Sequence, residues 1–200
     1  MRGPLAGRTK IRAEPFYQNG ENVCSQLRPL KRVNYFAGQV LSEADLTAEQ
    51  EFQRDVWRRH NRYFHGWGVV CGLNVTVHNS EISITPGLAL DCQGDEIVLP
   101  APSQLYAPTH NPGVTLLYVL IEAEEELIDP VPDTQETTNY SRVIERSHLA
   151  LDPKDPTLGH VRRQGHWKTC GNAHGLPLAR VKWERRRWRL DARYKRRQAK

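Results

Sequence analysis

Residues 60–75, HNRYFHGWGVVCGLNV, begin as a charged, aromatic run of helical character and end as a run of Val, Cys, Gly and Leu that suits a strand. Gly66 and Gly68 sit at the change of period, on either side of Trp67. A chain containing this segment must turn from helix to sheet within a few residues. Glycine is the residue type that permits such a turn and a close backbone approach. This joint divides the chain into a helical part before it and a strand-rich part after it.

Upstream, Ser42 precedes a helical pattern and Asp45 follows three residues later, which is a capping-box start. Glu43 and Asp45 place negative charge in the first turn, and Arg58, Arg59 and Arg62 gather near the end; both arrangements suit the helix dipole. Leu46, Phe52, Val56, Trp57, His60, Tyr63 and Phe64 recur at helical spacing and give a broad apolar face. The pattern predicts a helix from Glu43 to Phe64, about 33 Å long, closed by Gly66.

Downstream, the period falls to two. Leu73, Val75 and Val77 alternate with polar neighbours, so GVVCGLNVTVHN reads as one strand. Short strands around Ile82–Ile84, Leu88–Leu90 and Ile97–Leu99 follow, punctuated by TPG and QGD. GVTLLYVLIEAEEE reads as a central strand and VIERSHLALD as another. LIDPVPDTQETTNYSR reads as a Pro-rich polar excursion, and residues 152–175 as irregular. LPLARVKWERRRWRLDARYK reads as a closing hairpin with Trp183 and Trp188 flanking its turn. In it alternation puts Val181, Trp183, Trp188 and Leu190 at spaced positions, with Lys182, Glu184, Arg187 and Arg189 between them; the aromatic residues are expected to pack on the sheet and the arginines to face outward.

The expected fold class is α+β, mainly β. An extended arm (1–32) precedes a strand or turn and the long helix (33–66). An antiparallel β-domain of sandwich or barrel-like form (67–192) follows, and a basic tail (193–200) extends past the last strand. The net charge is +5, and the positive charge is concentrated in the last twenty residues. A basic surface of that kind meets an acidic protein, a nucleic acid or an anionic lipid. An acidic protein partner is preferred, because the basic stretch is short. No apolar run is long enough to cross a bilayer, and the first residues carry no apolar signal core. The four cysteines form no CxxC pair and are read as reduced, with Cys71 and Cys92 as small buried hydrophobes.

The chemistry-bearing residue types do not assemble into a catalytic constellation. There is no GxSxG, no P-loop and no GxGxxG opening a helix. His60, His65 and Cys71 are possible metal ligands, but two residues five apart on a helix point in different directions. The adopted reading is a structural joint of His60, Asn61, Arg62, His65, Gly66, Trp67, Gly68 and Gly72, its histidine buried and bonded to the sheet. Asp91, Asp95 and Glu96 lack EF-hand spacing, so Pro86, Gly87, Asp91 and Gly94 are read as turn residues. His160, His166, Cys170 and His174 are all permitted zinc ligands at irregular spacing; an exposed polar loop is preferred, with a zinc-pinned loop as the alternative. No cofactor and no enzymatic activity are expected.

Three stretches together resemble a group of proteins encoded with phage-like contractile injection systems. The first is NYFAGQVLSEADLTAEQEF, with Tyr35, Phe36, Gly38, Gln39, Leu41, Asp45, Glu49 and Gln50. The second is the joint, from His60 to Arg62 and from His65 to Leu73. The third is ITPGLALDCQGDEIVLP, with Pro86, Gly87, Ala89, Asp91, Gly94 and Glu96 to Val98. YSRVIE and LPLARVKW also look like later strands of that group, so the resemblance spans about residues 33–190. It implies a structural component of a phage-tail-like particle, at the baseplate or a fibre attachment. Its partners would be other subunits: baseplate, tube, sheath or fibre proteins. Assembly would take place in the cytoplasm, and the particle itself would act at a membrane or outside the cell. The alternative is a ligand- or glycan-binding β-domain that acts as an adhesin-like tip.

Overall fold

The computed structural model describes residues 17–18, 21–22, 28–109, 113–132, 138–159, 162–163, 166–167 and 174–199. The fold is α+β and mainly β, with one α-helix among the described residues and antiparallel sheets that include a curled half-barrel.

In the arm, β1 (Tyr17–Gln18) pairs with β2 (Glu21–Asn22). Helix α1 (Glu43–His60) starts where the sequence places it. The Ser42 hydroxyl accepts from the Asp45 amide at 3.2 Å, and the Asp45 carboxylate accepts from the Ser42 amide at 2.9 Å. These reciprocal bonds satisfy amide groups that the first helical turn leaves open. After His60 the helix widens into a π-helical turn, Asn61–His65, and Gly66 closes it at φ +72° with its amide on the Asn61 carbonyl, 2.9 Å away.

The strand predicted over GVVCGLNVTVHN is two strands in two sheets. β3 (Gly68–Gly72) and β4 (Val75–His78) are separated by Leu73, whose φ is +51° although its side chain is fully buried. A left-handed Leu costs roughly 1–2 kcal/mol, about what full burial of its side chain returns. The period-2 pattern runs through this break, so alternation alone does not reveal it. β5 (Glu81–Ile84), β6 (Gly87–Leu90), β7 (Glu96–Leu99) and β8 (Ser103–Tyr106) follow. They build two three-stranded sheets, β3-β6-β7 and β4-β5-β8.

β9 (Leu116–Pro132) and β10 (Thr138–Asp152) form a long antiparallel ribbon that replaces the expected Pro-rich excursion. Prolines are tolerated there because each strand of a two-stranded ribbon has an open edge, where a missing N–H breaks no ladder bond. After a short 3₁₀ turn (Pro156–Gly159), β11 (Arg162–Arg163) pairs with β12 (His166–Trp167). β13 (Leu176–Glu184) and β14 (Arg187–Leu190) form the closing hairpin, giving the sheet order β10-β9-β13-β14. The hairpin turns through Arg185 and Arg186, both at positive φ, and Trp183 pairs with Trp188 across it. Trp188 is buried and Trp183 partly buried, as expected of the aromatic residues, and Arg187 is exposed; Val181 is buried too, whereas Leu190 is exposed at the open end of the edge strand.

The core gathers Trp67, Val69 and Leu73 from the joint, Ile82, Ile84 and Ile97 from the small sheets, and Leu117, Val119, Ile121, Leu176, Val181 and Trp188 from the large one. β9 is central only from Leu116 to Ile121, where β13 flanks it. Beyond Ile121 its only strand partner among the described residues is β10, and Leu127, Val131, Tyr140 and Val143 stay exposed.

Candidate interaction surface at the helix–sheet joint

No residue of α1 is buried. Its predicted apolar face is not spent on the β-domain: Leu46 is 52% exposed, Trp57 62% and Phe64, in the π turn, 73%. The segment that leads into the helix adds Phe36, Val40 and Leu41, all exposed.

The helix is held through its C-terminal part by polar contacts. The Arg58 Nε donates to Asp95 Oδ1 at 2.6 Å, and Asn61 Nδ2 donates to the Gly94 carbonyl at 2.9 Å. Arg54 reaches Glu125 on β9 at 2.8 Å. Asn61 is buried, so its amide bond carries the orientation of the turn, while the arginine pairs are partly exposed and screened. Gly94 is required here: at φ +94°, an added Cβ would stand 2.4 Å from the Arg58 carbonyl oxygen. The joint and the QGD turn, which are about thirty residues apart in sequence, are therefore one contact.

Asp91 organises that turn. Its Oδ1 accepts from the amides of Gln93 and Asp95, both at 2.8 Å, and its own amide donates to the Asp95 carbonyl at 2.9 Å. The side chain is buried, and desolvation raises the carboxyl above its ordinary value against the pull of the backbone donors. Gly72 and Gly87 face each other across β3 and β6, and a Cβ on Gly72 would meet the Pro86 carbonyl oxygen at 2.0 Å. The turn residue Pro86 also accepts the Leu73 amide at 3.1 Å.

The basic tail does not extend past the last strand. It returns to the joint. The Val69 amide donates to the Arg197 carbonyl at 2.9 Å, and the Ala199 amide donates to the Val69 carbonyl at 3.1 Å, forming a parallel bridge between Val69 and Gln198. Arg197 lies over the Trp67 ring at 4.3 Å and donates to the Trp67 carbonyl at 2.6 Å. Arg196 donates to the Leu73 carbonyl at 2.6 Å. The tail explains Gly68 better than the turn does: at φ +140°, an added Cβ would lie 2.6 Å from the Gln198 carbonyl carbon. The sequence held no signal for this strap, because a single-residue bridge has no period.

The histidines also differ from expectation. His60 is exposed, stacked on Phe64 at 5.0 Å and edge-on to Trp57 at 6.2 Å, rather than buried against the sheet. Its Nε2 lies 3.2 Å from Nε2 of His65. The five-residue spacing converges because the π turn holds more residues per turn than an α-helix does. Arg62 lies over the Tyr63 ring at 5.9 Å. Cys71 is exposed and Cys92 is buried. Of the zinc candidates, the side chains of His160, His166 and Cys170 lie outside the described residues. His174 is engaged with the Gly175 carbonyl at 2.9 Å and with the edge of Trp67 at 5.9 Å. Among the described residues no three or more His, Cys, Asp or Glu side chains form a metal-binding group, and no helix is long and apolar enough to cross a membrane.

No protein-family model matches the chain. No curated protein matches it in sequence. Solved structures do share its fold. A chain in the baseplate complex from the type VI secretion system superposes with a TM-score of 0.50 at 13% identity, covering 84% of this chain and 60% of that one. A chain in the type VI secretion system TssK-TssF-TssG baseplate subcomplex gives 0.50 at 14% identity, covering 84% and 62%. The crystal structure of TssK gives 0.46 at 14% identity, covering 82% and 41%. The chain thus spans about three-fifths of the length of the first two.

Proposed function

We propose that this chain is a non-enzymatic assembly component of a phage-tail-like contractile injection particle, placed at the baseplate or a fibre attachment. The observation that carries the reading is α1: eighteen residues with none buried, presenting Leu46 and Trp57 to solvent beside Phe64. A helix that keeps a broad apolar face exposed is suited to docking on another subunit. The fold shared with chains of type VI secretion baseplate assemblies supports the kind of particle. In this reading the joint residues His60, Asn61, Arg62, His65, Gly66, Trp67, Gly68 and Gly72 set the angle of the helix, and Pro86, Gly87, Asp91 and Gly94 supply the seat that holds it. The partners are other baseplate or fibre subunits.

The test is co-purification of the chain with the baseplate subunits encoded beside it. The wild type is expected to form a stable complex, and Trp57→Asp/Phe64→Asp to lose it with an unchanged melting temperature. A stable monomer that ignores those subunits and binds glycans would replace this reading with an adhesin-like one.

A further inference from the structure

We propose that His60 and His65 form a two-histidine chelate for a borderline divalent metal ion, with zinc as the reference ion and water completing its shell. In a regular α-helix the two side chains would diverge by about 140°, at 100° per residue. The π turn at Asn61–His65 removes that divergence and sets Nε2 of both rings 3.2 Å apart. Two nitrogens about 2.0–2.1 Å from one ion lie about 3.3–3.4 Å apart at the tetrahedral angle and about 2.9 Å apart at a right angle. The observed separation falls between these limits.

The His60 ring also packs between two aromatic neighbours. His60 stacks on Phe64 with an interplanar angle of 26° and meets Trp57 edge-on at 80°. These contacts favour the His60 rotamer that faces His65. Both rings bind as neutral imidazoles through Nε2 and keep the proton on Nδ1. The Nε2 proton that links the two rings in the free pair moves to Nδ1 or to solvent. An all-imidazole donor set favours zinc, nickel or copper over magnesium or calcium, which take oxygen ligands. Wider turns of this kind inside helices recur at functional sites.

The experiment is calorimetric titration of the full chain with zinc chloride, run beside His60→Ala, His65→Gln and the loop variant His160→Ala/His166→Ala/Cys170→Ala. Each of the two joint variants is expected to bind one ion fewer, or to bind at least about tenfold more weakly, with the circular dichroism of the wild type. The loop variant is expected to retain the joint ion. Two results overturn the proposal: zinc binding unchanged in both joint variants, or no saturable binding to the wild type up to about 1 mM.

Discussion

At the residue scale, the joint rests on a few positions where one atom decides the outcome. Asp91 is the acceptor for two amides inside a tight turn. Asp91→Ala leaves both without a partner and is expected to destabilise the fold by about 1–3 kcal/mol, read from denaturant unfolding. Gly68→Val drives a Cβ into the tail backbone. It is expected to lower the melting temperature and to speed amide exchange at Val69 and Ala199, the two amides of the bridge; exchange unchanged at both would refute the strap. Asp191 gives the pH dependence. It accepts from Arg180 Nε at 2.9 Å and Nη2 at 2.6 Å, and the Arg180 guanidinium with the Arg193 amide holds its carboxyl below the ordinary 3.8. A depressed folded value means that the contribution is present above 3.8 and is lost as the pH falls through the lowered value. Asp91 acts with the opposite sign: its raised carboxyl favours folding fully below 3.8 and less as the pH rises through its folded value. Unfolding of Asp191→Asn followed by denaturant titration is therefore expected to show a flatter acid limb than the wild type. Tyr194, half-buried and edge-on to Tyr118, is pushed up to about 12, chiefly by desolvation, so stability is expected to fall between the ordinary tyrosine value and that pH.

At the scale of elements, the helix, the hairpin with its two tryptophans and the short strands were legible because each follows a local rule. The Ser42–Asp45 capping box, the period change at Gly66 and the alternation around Ile82 and Ile84 are properties of neighbouring residues. What the sequence concealed depends on distant partners. Nothing local shows that Asn61 and Arg58 reach the turn at Gly94 and Asp95, although both segments stand out as motifs. Nothing local shows that Arg196 and Arg197 return to Trp67 and Leu73. The break at Leu73 hides inside an unbroken alternation, and the convergence of His60 and His65 depends on a π turn that no residue pattern announces. The tail can be tested as an element. Removing residues 193–200 deletes the Val69 bridge, the stacking of Arg197 on Trp67 and the Arg196 bond to Leu73. It is expected to destabilise the isolated protein: two backbone bonds at about 0.5–1.5 kcal/mol each and two charge-assisted ones at about 1.5–3 each set an upper bound of about 4–9 kcal/mol, which the entropy regained by the freed tail lowers. A truncated protein with wild-type unfolding would mean that the strap is not part of the fold.

At the scale of the whole molecule, the β-domain buries a core that runs from Trp67 to Trp188, while the helix and the far end of the β9–β10 ribbon bury none of their large apolar residues fully. Leu127 and Val143 lie opposite each other on that ribbon and both are exposed, as are Trp57 on the helix and Phe64 in its π turn. A two-stranded ribbon gains little stability by itself, so its length is better explained by contact with a neighbour than by folding of this chain. In the proposed reading, the core fixes two elements for other subunits to grip. The most direct measurement is hydrogen exchange on the chain alone and in the purified particle. The account predicts that amides of residues 43–65 slow markedly on assembly while those of β5 and β13, already in the core, hardly change. Equal exchange across residues 43–65 in both states would contradict it, because the exposed face of α1 would then have no partner to meet.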